Sequence, residues 1–310
     1  MSDDAGLRDL RQVVADLEAR LATGDLDPAL VRAAIVAFSH LGRGEAVIRL
    51  LRRYLHRPLA IEEEAWARGQ LVDQLALLDR CGEAVDAQLD FMAWAREALP
   101  SDRLLRIMSD SRMALCWVAV GRHEEWLRIF SDLLDRTVPT EGNRLDRVYL
   151  LRTAAIIMAE LSMHSEALRL ARAVRLVADE DRGWERAFWA WTESRVIQLY
   201  AYHASGDRET LRRAAVALTA LLDQQYELLQ TGGEAMADAV TLRALYENAA
   251  VPVYRAAEYE LAIPLLEHAV ELGSTAPQVH ESLTRARLIV SARRPTPPDQ
   301  PPPARPPSTE

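Results

Sequence analysis

The stretch HLGRGEAVIRLL, at residues 40–51, contains two glycines spaced as in a phosphate-binding loop. A P-loop uses a lysine to contact the phosphates, and this chain contains no lysine at all. A dinucleotide-binding fingerprint needs a third glycine three residues after Gly44, where Val47 stands, and it needs a strand before the first glycine. Both phosphate-binding interpretations are therefore excluded.

The other residue types that could support chemistry are scattered along the chain. Cys81 and Cys116 lie 35 residues apart, without C-x-x-C spacing, which indicates a reducing compartment and neither a disulfide framework nor a zinc site. Glu160 and His164 share a helical face, but two ligands do not define a metal site. His123 begins HEEW, which lacks the second histidine of H-E-x-x-H. We expect no catalytic residue, no metal and no cofactor, and hence no enzyme.

The composition predicts an all-α fold. The chain of 310 residues is 49% apolar and rich in Ala, Leu, Arg and Glu, and 8 of its 15 prolines fall within residues 295–307. The net charge of −9 argues against nonspecific binding to nucleic acid or to anionic membranes. The acidic N-terminus and the lack of a long apolar run predict a cytoplasmic protein.

The GRGEAV pattern recurs as DRCGEAV, GRHEEW, SMHSEAL, GDRETL and AEYELAI. At intervals of 38, 42, 41, 44 and 51 residues, one aligned position is occupied by Ala46, Ala84, Trp126, Ala167, Leu211 and Ala262. A glutamate one or two residues earlier suits the first turn of a helix, where free N–H groups favour negative charge. An apolar stripe from Leu104 through Ser111 to Leu115 predicts one uninterrupted helix before the third of these turns. The pattern predicts about six helix–turn–helix units in a solenoid.

The segment EYELAIPLLEHAVEL, at residues 258–272, resembles the second helix of a tetratricopeptide repeat (TPR), and VAVGRHEEWLRIFSDLL, at 118–134, is a looser version. The resemblance implies a right-handed superhelix whose first helices line a concave surface that binds a ligand or peptide. The first-helix motif W-x2-L-G-x2-Y is missing and the period is about 40 residues instead of about 34. The units thus resemble the longer, degenerate repeats of bacterial transcription activators and signalling proteins, and no binding residue is carried over.

The domain organisation follows from these units. We expect one continuous TPR-like domain over residues 1–292 and a disordered, proline-rich tail over 293–310. The tail contains P-x-x-P at 298–301 and at 303–306, so it either docks in an aromatic groove or is a solvated end. Within the domain we expect an N-terminal capping helix in 1–27, repeats over 28–272 and a C-terminal capping helix in 273–292.

Residues 184–203, WERAFWAWTESRVIQLYAYH, hold six of the chain's 19 aromatic side chains. On a helix, several of them form a strip that ends in an arginine, because residues three and four apart are neighbours. Such a strip suits a planar or anionic ligand through stacking and cation–π contact. A helix covered by neighbours on two faces is the alternative, and both interpretations remain open. The candidate partner-binding residues are Trp184, Phe188, Trp191, Arg195 and Tyr202.

Together these observations predict a noncatalytic scaffold or adaptor that binds another protein or a peptide on the concave face of its repeats. Arginines of the inner helices would contact carboxylates of the partner. The alternative is a small-molecule or peptide-signal sensor that regulates a partner such as a transcription regulator. A sensor needs an enclosed pocket with a few convergent polar groups, whereas an adaptor needs an open groove. The oligomeric state is left open.

Overall fold

Helices form all of the regular structure that is described. The computed structural model describes residues 3–179 and 184–293, with the side chains of 12–100, 103–110, 112–178 and 188–293. These ranges contain α-helices and one 3₁₀ turn (Glu141–Asn143) but no strand, as the composition predicts. The helices are α1 (Asp3–Ala22), α2 (Pro28–His40), α3 (Gly44–Leu55), α4 (Ile61–Leu77), α5 (Cys81–Ala98), α6 (Ser101–Met108), α7 (Ser111–Ala119), α8 (His123–Arg136), α9 (Arg144–Glu160), α10 (His164–Asp179), α11 (Trp184–Ser205), α12 (Arg208–Thr231), α13 (Ala239–Arg255), α14 (Tyr259–Glu271) and α15 (Pro277–Arg293).

The chain divides into two compact units, Met1–Ile197 and Gln198–Glu310. In the first unit the helices pack in consecutive pairs, α2 with α3, α4 with α5, and α9 with α10. In the second unit α13 packs with α14, and α14 also contacts α15. The single continuous domain over residues 1–292 remains a prediction.

The six turns between the helices of a pair share the same backbone conformation. One residue per turn has a left-handed conformation: Gly42, Asp79, Gly121, Ser162, Gly206 and Ala257. The amide of the following residue donates to the carbonyl five positions earlier, over 2.8 to 3.2 Å, which is the Schellman motif that ends a helix. The second helix begins two residues after the left-handed residue in all six turns. The predicted glutamates therefore lie in its first turn.

The buried position of the repeat lies five residues after the left-handed residue. It is occupied by Val47, Ala84, Trp126, Ala167, Leu211 and Ala262, all fully buried. Five of these six match the predicted positions. At the first of these turns the prediction of Ala46 is wrong by one residue, because Glu45 lies three residues after the left-handed Gly42, whereas Glu83 lies four after Asp79, so an alignment on the glutamates shifts the buried position.

Arginines next to the left-handed residues join the first three of the six turns to the helices that precede them. The ion pairs of this arginine ladder are Arg43 with Glu18, Arg80 with Glu45, and Arg122 with Asp86. Most of these side chains are substantially exposed, so each pair contributes about 0–1 kcal/mol to stability. The ladder therefore matters more for the register between neighbouring turns than for the free energy of unfolding.

The first helix of the third pair is broken, which corrects the prediction of an uninterrupted stripe. Ser109 and Asp110 separate α6 from α7. The Asp110 carboxylate accepts a hydrogen bond of 2.8 Å from the Arg112 amide and so caps α7. The Ser109 carbonyl accepts one of 2.8 Å from the Thr153 hydroxyl. Leu115, at the end of the stripe, is consequently exposed.

Both ends of the repeat region carry the expected helices. The opening helix predicted at 7–22 is α1, and the closing helix predicted at 277–292 is α15. Residues 294–310, where the proline-rich tail is predicted, lie outside the described residues. In the described part of the chain, no helix combines the length and apolar character needed to cross a bilayer.

Candidate functional site

The first unit contains a cavity of about 700 Å³ between α4, α5, α6, α7 and α9. Most of its lining comes from the first helices of the second, third and fourth pairs. The side chains used below fall into three sets by position. Gln88, Phe91 and Arg152 are buried at its floor; Trp66, Asp73, Asp110 and Tyr149 are half-buried in its walls; Arg103, Arg106 and Arg112 are exposed at its rim.

A buried hydrogen-bond chain holds the floor of the cavity. The Trp117 indole donates to the Gln88 side-chain oxygen over 2.7 Å, and the Gln88 amide donates to the Ile107 carbonyl over 2.7 Å. Gln88 and Trp117 are 1% and 0% exposed. The chain joins α5, α6 and α7 at one point. Since buried polar groups are costly when unpaired, it fixes the relative positions of these three helices.

Arg152 is a buried arginine of α9 that lines the same cavity. Its side chain is only 9% exposed, and its Nε lies 2.9 Å from the Glu193 carboxylate. This ion pair is not a well-aligned hydrogen bond, because Nε has no acceptor in the direction of its N–H. The guanidinium also lies over the Tyr149 ring, 5.0 Å from its centroid. Burial raises the pKa of Glu193, and the positive charge of Arg152 opposes that shift.

Two carboxyl groups, Asp73 and Asp110, meet in the wall of the cavity. Burial raises the pKa of Asp73 to about 7, and the negative charge of Asp110 and a hydrogen bond to its side chain add to the effect, while Arg112 opposes it. The Asp73 carboxyl donates to Asp110 when it is protonated. Near neutral pH the pair therefore holds a shared proton and carries less than two negative charges.

The rim of the cavity is cationic. Arg103, Arg106 and Arg112 are exposed, and none of them forms an ion pair with a carboxylate of a described side chain. With the shared proton on the aspartates, positive groups outnumber negative groups along the cavity lining. Guanidinium groups bind carboxylates and phosphates through paired N–H donors. The rim can therefore hold an anionic ligand.

An aromatic wall lies beside the rim. The Arg32 guanidinium lies 3.9 Å from the centroid of the Trp66 ring and pairs with Glu63 over 2.6 Å, so the indole is held in place. Gly69, one turn further along α4, leaves the ring of Phe91 accessible from the cavity, since a Cβ there would meet only that ring, at 3.7 Å. The wall offers flat apolar surface to a side chain of a ligand.

The residues predicted as a binding strip all fall on α11. Phe188 is fully buried and Tyr202 is 5% exposed. Trp191 is half-buried, and the Arg195 guanidinium lies 5.2 Å from the centroid of its ring. Only the backbone of Trp184 is described. Phe188, Trp191, Arg195 and Tyr202 do not line the cavity of the first unit, and their role in partner binding remains a prediction.

Sequence reasoning missed the cavity because its charged groups come from helices that are far apart in the chain. One signal was present. The triplet Ser-Asp-Ser at 109–111 stands inside an apolar stripe, and such residues favour helix caps over helix interiors. It could have located both the break between α6 and α7 and the carboxylate of Asp110. In the described side chains, no group of three or more His, Cys, Asp or Glu could hold a metal ion.

No protein-family model and no curated protein matches the sequence. Solved structures match the fold. The chain is similar to a tetratricopeptide repeat protein from Parabacteroides merdae ATCC 43184, with a TM-score of 0.52, 14% identity, and 92% of this chain and 95% of that chain covered. It is also similar to the APC/C hetero-tetramer Cut9-Hcn1, with a TM-score of 0.50, 13% identity, and 90% and 45% covered. The fold is tetratricopeptide-like.

A third solved structure, the TPR-like repeats of a putative kinesin light chain from Podosopora anserina, has a TM-score of 0.48 at 15% identity, and 64% of this chain and 98% of that chain are covered. The chain spans less than half the length of the Cut9-Hcn1 chain.

In the TPR-like arrangement the first helices of consecutive pairs are neighbours. The cavity of the first unit lies on three such helices, the broken α6–α7 helix among them.

Proposed function

We propose that this TPR-like chain is a noncatalytic adaptor that binds an acidic segment of another protein or peptide in the cavity of its first unit. The observation that carries the proposal is the combination, in one cavity of about 700 Å³, of three rim arginines with an aromatic wall. Carboxylates of the segment bind the arginines, and an apolar side chain of the segment packs on the wall.

Charge supports an acidic ligand. The protein as a whole is acidic, with a net charge of −9, yet the cavity lining holds four arginines against three carboxyl groups, of which Asp73 has a pKa near 7. An exposed arginine–carboxylate pair contributes about 0–1 kcal/mol, so the rim arginines supply part of the affinity and select for negative charge, and packing of an apolar side chain on the aromatic wall supplies the rest. The shared proton of Asp73 and Asp110 assists, because it reduces the repulsion that an incoming carboxylate meets.

The carboxyl pair also bears on whether the chain is catalytic. A carboxyl group with a pKa near 7 exchanges its proton readily at neutral pH, as acid–base catalysis requires. The proposal assigns the pair to charge control instead: the proton on Asp73 lowers the negative charge that an incoming carboxylate meets.

Binding of short peptides tests the proposal. Fluorescence anisotropy would compare a labelled glutamate-rich peptide with the same peptide carrying glutamine in place of glutamate. The variant is Arg106→Glu at the rim, and the matched control is Arg128→Glu at an exposed arginine of α8 outside the cavity. We expect the acidic peptide to bind preferentially, and Arg106→Glu to weaken it about tenfold or more. Equal binding of the two peptides, or equal losses in the two variants, would contradict the proposal.

A small-molecule sensor is the second candidate function, and the volume of the cavity favours it. Ligand pockets for small molecules measure roughly 300–1,000 Å³, a range that includes this cavity. Native mass spectrometry of protein purified gently from its own host distinguishes the two candidates. A bound compound of low mass would support the sensor, whereas a polypeptide at fixed stoichiometry that is released by Arg106→Glu would support the adaptor.

A further inference from the structure

The fold brings the two cysteines together. Cys81 is the first residue of α5 and Cys116 lies near the end of α7, yet their sulfur atoms are 2.6 Å apart. Both are free thiols. A disulfide bond requires sulfur atoms about 2.0 Å apart, so only a small further approach separates this contact from a covalent bond. The spacing of 35 residues in the sequence gave no indication of the contact.

The two thiols differ in their access to solvent. Cys116 is 3% exposed, and burial raises the pKa of its thiol to about 12, with a further contribution from the contact with Cys81. Cys81 is half-buried, at the start of α5, so its sulfur is open to solvent. A reagent from solution therefore reaches Cys81 first, and Cys116 reacts only with its neighbour.

We propose that Cys81 and Cys116 form a site of reversible oxidation that takes a small-molecule disulfide as its co-substrate, with Cys81 as the entry thiol and Cys116 as the resolving thiol. This inference is independent of the proposed function, since it rests on the geometry of the two sulfur atoms alone.

The reaction balances as two thiol–disulfide exchanges. The Cys81 thiolate attacks one sulfur of the small disulfide, a mixed disulfide forms, and one small thiolate leaves and takes up a proton. The Cys116 sulfur then attacks the Cys81 sulfur, its proton passes to the second departing thiolate, and the protein disulfide forms. The two cysteines are oxidised, and one small disulfide is reduced to two small thiols.

The crosslink would join two helices that form the cavity. α5 supplies Gln88 and Phe91 to the lining and α7 supplies Arg112. Trp117, next to Cys116 in the chain, already hydrogen-bonds to Gln88 on α5. Oxidation therefore adds a covalent bond between α5 and α7, which the hydrogen bond already joins, and changes little else in the fold.

Oxidised glutathione is the probe, and intact mass spectrometry of the full chain is the readout. We expect the wild-type chain to lose the mass of two hydrogen atoms, to keep no adduct and to regain that mass on reduction with dithiothreitol. Cys116→Ser should accumulate one glutathione on Cys81, because no resolving thiol remains. Cys81→Ser should react at least about tenfold more slowly than Cys116→Ser while folded, and readily in urea.

Several results would overturn the assignment: a stable glutathione adduct on the wild-type chain, a disulfide-linked dimer on a nonreducing gel, or a wild-type chain that stays reduced while Cys116→Ser is modified. Rapid modification of folded Cys81→Ser would also overturn it, because Cys116 would then be the accessible thiol. Circular dichroism and thermal unfolding of both variants establish that the proteins compared are folded.

Discussion

Replacement of Asp73 by asparagine removes the carboxyl group that holds the shared proton in the cavity. Asparagine has nearly the same shape and can still donate a hydrogen bond to Asp110. In the wild-type chain, burial and the neighbouring carboxylate raise the pKa of Asp73 from 3.8 to about 7. The folded state therefore binds one more proton than the unfolded state between about pH 4 and pH 7, so wild-type stability falls as pH rises through this window.

The size of the effect follows from the pKa difference. Each unit of difference between the folded and unfolded pKa values corresponds to about 1.4 kcal/mol. The full shift of Asp73 therefore sets an upper bound of about 4 kcal/mol on the cost of ionising it in the folded state above pH 7. The side chain is only half-buried, so solvent screening reduces the measured cost. We expect Asp73→Asn to be about 1–2 kcal/mol more stable than the wild type at about pH 8 and equal to it at about pH 4.

Urea unfolding followed by far-UV circular dichroism, at several pH values across this window, measures the difference. Asp90→Asn, at an exposed carboxylate of α5, is the control and should follow the wild-type pH dependence. The reasoning about burial and charge in the wall of the cavity is refuted if Asp73→Asn is less stable than the wild type at pH 8. It is equally refuted if the difference between the two proteins does not depend on pH.

Three further predictions concern the floor of the cavity, the turns and α11. Gln88→Leu should lower the free energy of unfolding by about 1–3 kcal/mol, because it leaves the buried Trp117 indole without an acceptor; an unchanged urea midpoint would contradict this. Ala257→Gly should raise the free energy of unfolding by up to about 1 kcal/mol, because the residue has a φ of +62°. Gly121→Ala, at a φ of +71°, should lower it. Melting temperatures that shift in the same direction in both variants would be inconsistent with this. Arg195→Glu tests the α11 strip as a binding face separate from the cavity: it should weaken binding of the natural partner without loss of helicity, as judged by anisotropy and circular dichroism, and unchanged affinity or unfolding would remove Arg195 from the strip.

The helix pairs could be predicted from the sequence because the signals for each turn lie within a few residues of it. Glycine or aspartate stands at four of the six left-handed positions, and a glutamate follows in the first turn of the second helix at all six. The break at Ser109 and Asp110 was missed because apolar periodicity continues across it, whereas the capping bond of Asp110 decides the local structure. The one-residue error at Ala46 arose because the copies were aligned on the glutamate, whose distance from the left-handed residue is three residues in the first turn and four in the second.

The candidate site was less predictable, for a different reason. Aromatic density directed attention to α11, where the side chains are close together in the sequence. The cavity is instead assembled from groups that become neighbours only after folding, such as Asp73 with Asp110. The contact of Cys81 with Cys116, outside the cavity lining, also forms only on folding. Their contacts depend on how helices pack, and the sequence carries no periodic signal for a carboxylate pair or for two thiols on separate helices.

The arginine ladder implies that the joints between helix pairs are interchangeable. Arg80 pairs with Glu45, and Arg122 pairs with Asp86, so at these two joints the turn contributes a cation and the preceding pair contributes an anion. Excision of α4 and α5 as one block would place Arg122 opposite Glu45, although Arg32 and Arg52 would lose their partners Glu63 and Glu83. A cooperative melt of the shortened chain, followed by circular dichroism, would show that the new joint forms. Whole helix pairs could then be gained or lost at these joints with the charge contact across the turn preserved.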